Sequence, residues 1–149
     1  IIGMDVDDLD ELVSEFIETH KEKLIDPMTF DLLERHINEF RLVASGSLDF
    51  IVKGFTNYFK LDAFLGSSYE VIDNKITGKL KKAAFAHGKL EKVREWCQKN
   101  SYILEESFFY TDSINDLPLI KVCPRSIIIS PDKKLEQYAL KNNIEVLTR

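Results

Sequence analysis

Apolar residues recur at helical spacing from Asp5 to Leu24, where Val6, Leu9, Leu12, Val13, Phe16, Ile17 and Leu24 share one side. Acids crowd the start of this stretch, as suits a helix N-terminus. Asp26-Pro27 stops the helix and starts another, with Asp26 as N-cap and Pro27 in the first helical position. Phe30, Leu33 and Ile37 give this second helix a buried stripe. Phe40 to Ala44 reads as a short strand broken by Ser45-Gly46-Ser47. Leu48, Ile51, Val52 and Phe55 then mark a helix ending near Tyr58. Ala63 to Leu65 is a brief strand. Tyr69–Ile72 and Lys75–Thr77 form a hairpin turned at Asp73-Asn74, where Asn tolerates positive φ. A further helix begins near Gly88 and carries Leu90, Val93 and Cys97 inward. The aromatic run Phe108 to Thr111 is a buried strand. Ser126 to Ile129 is another, Leu135, Tyr138 and Ala139 mark the last helix, and Ile144 to Leu147 is the last strand. Strands alternating with helices predict an α/β fold with a doubly wound, Rossmann-like parallel sheet.

The totals narrow the classes. A chain of 149 residues, 44% hydrophobic and 30% charged, is about one domain long and can bury a sizeable core. A net charge of −5 without a basic block argues against a nucleic-acid partner. No apolar run reaches the ~20 residues that span a bilayer, so no membrane partner is expected. Cys97 and Cys123 make no metal-ligand spacing, and the simple reading is a reduced, cytoplasmic compartment. The opening Ile1-Ile2-Gly3-Met4 carries no initiator methionine and runs at once into a helix, as in a chain entered midway. Nothing here fixes an oligomeric state.

Three features fall at strand ends or helix starts. Asp112 and Asp116, four residues apart, close the Phe108 strand. Ligands of open α/β sheets bind beyond the strands' carboxyl ends, and carboxylates there suit Mg²⁺. The plainer alternative is a helix cap followed by a solvated first-turn acid. Ser45-Gly46-Ser47 offers a hydroxyl and backbone N–H groups for an anion, or else a capping serine at a tight turn. Lys89 lies in a helix's first turn, where the dipole disfavours a cation and an anionic partner is called for; a solvated surface lysine is the alternative.

Taken in order, hydroxyl, lysine and paired acids resemble the haloacid dehalogenase superfamily of phosphohydrolases, in its phosphoserine phosphatase-like branch. Ser45-Gly46-Ser47-Leu48-Asp49-Phe50 is similar to the second motif of that branch, and Gly88-Lys89-Leu90-Glu91-Lys92-Val93 to its third. Asp112-Ser113-Ile114-Asn115-Asp116-Leu117-Pro118 is similar to its fourth, the most specific of the set. Asn74 to Gly78 and Ser130-Pro131-Asp132-Lys133 match its habitual wording as well. The resemblance implies a Mg²⁺-dependent phosphomonoesterase acting on a small phosphorylated metabolite through an aspartyl-phosphate. It implies that Asp112 is a direct Mg²⁺ ligand and that Asp116 orients Lys89 and the water around the ion. Ser45 and the Gly46 N–H would hold phosphoryl oxygens, Lys89 would neutralise charge gathering on them, and Asn115 would orient Asp116 or touch the phosphate.

The branch's first motif, an Asp-x-Asp ending an apolar strand, supplies the nucleophile. Asp5-Val6-Asp7 has the letters without the strand, and it lies too near Ser45 to leave room for a cap. The expectation is therefore that the nucleophile lies outside these residues. Residues 1–25 then read as the remainder of a helical cap, and residues 26–149 as the α/β core without its first strand. An inactive phosphate- and Mg²⁺-binding module, or a structural domain whose site residues are all caps, are the competing readings.

Overall fold

The computed structural model describes residues 1–82 and 87–148. The chain divides into two compact units, Ile1–Ala84 and Phe85–Arg149, each with its own three-stranded sheet.

In the first unit, helix α1 (Val6–Leu24) packs onto helix α3 (Asp49–Phe59). The helical spacing of Leu9, Val13 and Ile17 puts all three in the core, where they meet Phe50 of α3 and Ile76 of the sheet. Between them in the chain comes α2 (Pro27–Arg35), capped as expected: Asp26 accepts from the Met28 N–H at 2.8 Å. Its expected buried stripe is absent. Phe30 and Ile37 are each about half exposed, Ile37 lies beyond the helix end, and Phe30 meets the Phe59 ring edge to face at 5.6 Å between centroids.

The sheet joins β1 (Leu42–Leu48), β2 (Ala63–Ile72) and β3 (Lys75–Lys82) in that order, with β1 parallel and β3 antiparallel to β2. Two expectations are corrected here. Ser45-Gly46-Ser47 does not break the first strand; β1 runs through it, and the register with β2 slips between Ala44 and Leu48. Small residues accommodate the bulge that this slip requires. Ala63–Leu65 and Tyr69–Ile72 are likewise the two ends of one strand, because Gly66-Ser67-Ser68 continues the extended path. The hairpin turns at Asp73 (φ 50°) and Asn74 (φ 61°), two consecutive left-handed residues of the kind that match strand twist. Lysines 75, 79, 81 and 82 punctuate β3, an edge strand among those described, and discourage further pairing.

The second unit is a parallel sheet of β4 (Phe108–Thr111), β5 (Arg125–Ile129) and β6 (Glu145–Leu147), in sequence order. Helix α4 (His87–Asn100) precedes it, the one-turn α5 (Leu117–Ile120) links β4 to β5, and α6 (Lys133–Lys141) links β5 to β6. The central strand carries Ile127-Ile128-Ile129, all buried, as a strand covered on both faces demands. Ile128 joins Ile120, Leu135 and Ala139 in the core of this unit. Asp132 caps α6 by accepting from the Leu135 N–H at 2.8 Å. Both cysteines are buried free thiols. Burial pushes the Cys123 thiol up to about 11, with Glu105 and Cys97 adding to it. No helix among the described residues is long and apolar enough to cross a membrane.

Candidate active site

The chemistry of the second unit gathers where β4 ends. Its last residue, Thr111, is buried; Asp112 then turns out to solvent, and Ser113 opens a 3₁₀ turn over Ile114–Asp116. That turn is held from within. The Asn115 N–H donates to the Ser113 hydroxyl at 3.2 Å, and the Asp116 N–H donates to the Ser113 carbonyl at 3.1 Å. Pro118 follows in the first turn of α5, where its missing N–H costs nothing. Asp112 and Asn115 are consequently exposed, while Asp116 is buried. The sequence alternative, in which Asp116 is a solvated first-turn acid, is overturned by that burial.

A buried carboxylate needs partners on both oxygens. Asp116 has them: Lys89 of α4 donates to Oδ1, and the Thr111 hydroxyl donates to Oδ2 at 2.7 Å. The Lys89 and Asp116 side chains are only 12% and 8% exposed, so their attraction is weakly screened by water. The same contact answers the helix dipole, which disfavours an ammonium group at the start of α4. Lys89 is therefore not a solvated surface lysine.

The two carboxylates of the motif thus have different surroundings. Among the described residues, no three His, Cys, Asp or Glu side chains gather into a cage for a metal ion. Mg²⁺ does not require one, since it keeps several waters and is commonly held by one or two carboxylates together with substrate phosphate. The exposed Asp112 at a strand's carboxyl end fits that mode.

The first unit presents Ser45 and Gly46 in the bulge of β1, four and three residues ahead of α3 rather than in its first turn. The Ser47 N–H donates to the Ser45 hydroxyl at 3.1 Å, which occupies an acceptor site of that oxygen and leaves its proton to be given elsewhere. The Ser67 hydroxyl donates to the Gly46 carbonyl at 2.8 Å and fixes that peptide. Gly66 lets β2 pass close to the start of α3: a Cβ there would lie 2.7 Å from the Asp49 Cα. In β2, burial pushes the Tyr69 phenol up to about 12, with the carboxylates of Asp49 and Asp10 adding to it. Asp5 and Asp7 belong elsewhere in this unit. Lys75 Nζ lies 3.1 Å from Asp5, and Asn74 donates to Asp7 at 3.2 Å, both at the hairpin turn.

Two contributors escaped the sequence reading. Thr111 reads as no more than the last residue of the aromatic strand, although a hydroxyl directly before an acid pair is a usable signal. Gly66 carries no local cue, because its neighbour Asp49 lies seventeen positions away.

The profile of haloacid dehalogenase-like hydrolases matches residues 2–121. A histidinol-phosphatase of Neisseria meningitidis is 28% identical over 144 residues, covering 92% of this chain and 63% of that protein. A probable phosphatase of Mycobacterium tuberculosis is 26% identical over 148 residues, covering 98% and 52%. The chain thus spans between half and two-thirds of these relatives. A Bordetella pertussis protein of unknown function superposes with a TM-score of 0.88 at 22% identity, over 97% of this chain and 67% of its own. A phosphoserine phosphatase, solved as a phospho-aspartyl intermediate analogue, superposes at 0.59 with 18% identity, over 97% and 65%. These two likenesses concern the fold.

Proposed function

Because the chain belongs to the haloacid dehalogenase-like hydrolase family, we propose that it forms the phosphate- and charge-holding part of a phosphomonoester hydrolase. The phosphoryl group passes to an aspartate outside these 149 residues and then to water. The observation that carries this reading is the buried Lys89–Asp116 pair. A buried ammonium group is suited to the negative charge that spreads over phosphoryl oxygens during transfer. Asp116 holds Lys89 in place rather than attacking phosphorus, since both its oxygens are engaged. Ser45, whose proton is left to donate, and the Gly46 N–H bind phosphoryl oxygens; Asn115 adds a polar contact at the rim. Asp112 holds Mg²⁺, which when bound supplies positive charge to the phosphoryl oxygens. The engagement of Asp5 and Asp7 at the hairpin turn supports a nucleophile elsewhere.

The names of the Neisseria and Mycobacterium relatives support a small phosphorylated metabolite as substrate. The test is inorganic phosphate release by the full-length protein from p-nitrophenyl phosphate and from a set of small phosphomonoesters, with Mg²⁺ present. Release that saturates with substrate is expected. No release from any of them would overturn the proposal.

A further inference from the structure

Thr111 sits one residue before the metal-binding aspartate of the proposal and is 7% exposed. Its hydroxyl makes two contacts of opposite sense. It accepts from the Ser113 N–H at 3.0 Å and donates to Asp116 Oδ2 at 2.7 Å. A threonine hydroxyl has one proton. With the Ser113 N–H facing its lone pair, that proton is committed to Asp116. The oxygen also belongs to a β-branched side chain with few χ1 choices, anchored at the end of a paired strand. Lysine, by contrast, carries its ammonium on a flexible four-carbon stem and cannot by itself fix the plane of the carboxylate it meets.

We propose that Thr111 is a positioning residue: its hydroxyl locks the Asp116 carboxylate so that Oδ1 faces Lys89, and thereby sets where the ammonium group points. This rests on the hydrolase reading above. Without the hydroxyl, Asp116 could rotate about its last bond and carry Lys89 with it. A displacement of that size is costly where charge must meet a transition state in one place. Threonine supplies the hydroxyl that serine would, on a side chain with fewer χ1 choices.

The experiment uses the full-length protein, with kcat and KM for p-nitrophenyl phosphate referred to folded protein. Thr111→Val keeps the shape and removes the hydroxyl; kcat should fall roughly tenfold with KM changed less than about threefold. Thr111→Ser restores the hydroxyl and should stay within about threefold of wild type. Thr111→Ala, which leaves room for a water, should fall between the two and replaces Thr111→Val if that variant does not fold. In a Lys89→Ala background, removing the hydroxyl should cost less than about twofold more, because the group it positions is gone. A hydroxyl that merely stabilised the fold would lower the melting temperature, leave kcat per folded molecule unchanged and show no coupling to Lys89. That result, in a wild type that turns over, would overturn the role of Thr111 alone. A wild type without turnover would overturn the hydrolase reading, and the role of Thr111 with it.

Discussion

The two strand-to-helix junctions are built by different means. At the end of β1, a bulge of three small residues presents hydroxyl and backbone groups, and neutral hydrogen bonds from the Ser47 N–H and the Ser67 hydroxyl support it. At the end of β4, an aspartate is sunk into the protein and held from both sides by a lysine and a threonine. The contrast follows from the cost of burial. A serine hydroxyl or a peptide N–H can stay near water until an anion arrives. A charge that is to act strongly must be kept out of water, and it then needs a fixed counter-charge. In the proposed hydrolase, the first junction serves approach and the second supplies field.

Removing the charge should therefore hurt most. Lys89→Ala is expected to lower kcat for a phosphomonoester by about a hundredfold or more, and a rate within threefold of wild type would place the field elsewhere. The same variant leaves Asp116 buried without its counter-charge, and a loss of roughly 3–5 kcal/mol in urea denaturation should accompany it. Ser45→Ala should be milder, about tenfold in kcat/KM, because the neighbouring peptide groups remain; a loss as large as that of Lys89→Ala would erase the distinction between the junctions. Gly66→Ala probes the scaffold of the first junction, where the new Cβ meets Asp49 backbone. About 1–3 kcal/mol of stability should be lost, with thermal unfolding as the measure.

The smallest expected effect is on pH dependence, and it too separates the units. The Cys123 thiol is raised from 9.0 to about 11 in the folded second unit, and the Tyr69 phenol from 10.0 to about 12 in the first. Each group binds its proton more tightly folded than unfolded. Its contribution is whole below the unfolded value and fades as pH rises through the folded one. Stability should thus decline from about pH 9 through Cys123 and continue beyond pH 10 through Tyr69. Cys123→Ala should flatten the early part of the decline. A urea midpoint that falls identically in that variant would contradict the assignment.

How much of this could be read in the residues depends on the range of the interactions. The α1 core stripe, the Asp26 and Asp132 caps and the Asp73-Asn74 turn are set within a few positions, and each is legible. The parallel strands of the second unit announce themselves as short apolar runs between turn residues. The bulge in β1 was hidden because Ser-Gly-Ser is equally good at ending a strand and at bending one; the choice was made by pairing with β2. The single β2 strand is hidden for a similar reason, since Gly66-Ser67-Ser68 is as able to separate two short strands as to continue one. The exposed flank of α2 shows the opposite failure, where a helical period survives although little packs on it. At the site, the lysine at a helix start signalled an anionic partner. The hydroxyl on the other side of that partner gave no periodic signal at all.

The most direct test of the central claim, that the turn after β4 directs positive charge at a phosphoryl group, is a Mg²⁺ titration of p-nitrophenyl phosphate hydrolysis. Wild-type full-length protein is compared with Asp112→Asn. The account predicts a saturable dependence on Mg²⁺ in the wild type and its abolition in the variant, which keeps the fold and the Lys89–Asp116 pair. Full activity in Asp112→Asn, with the same dependence on the ion, would contradict it.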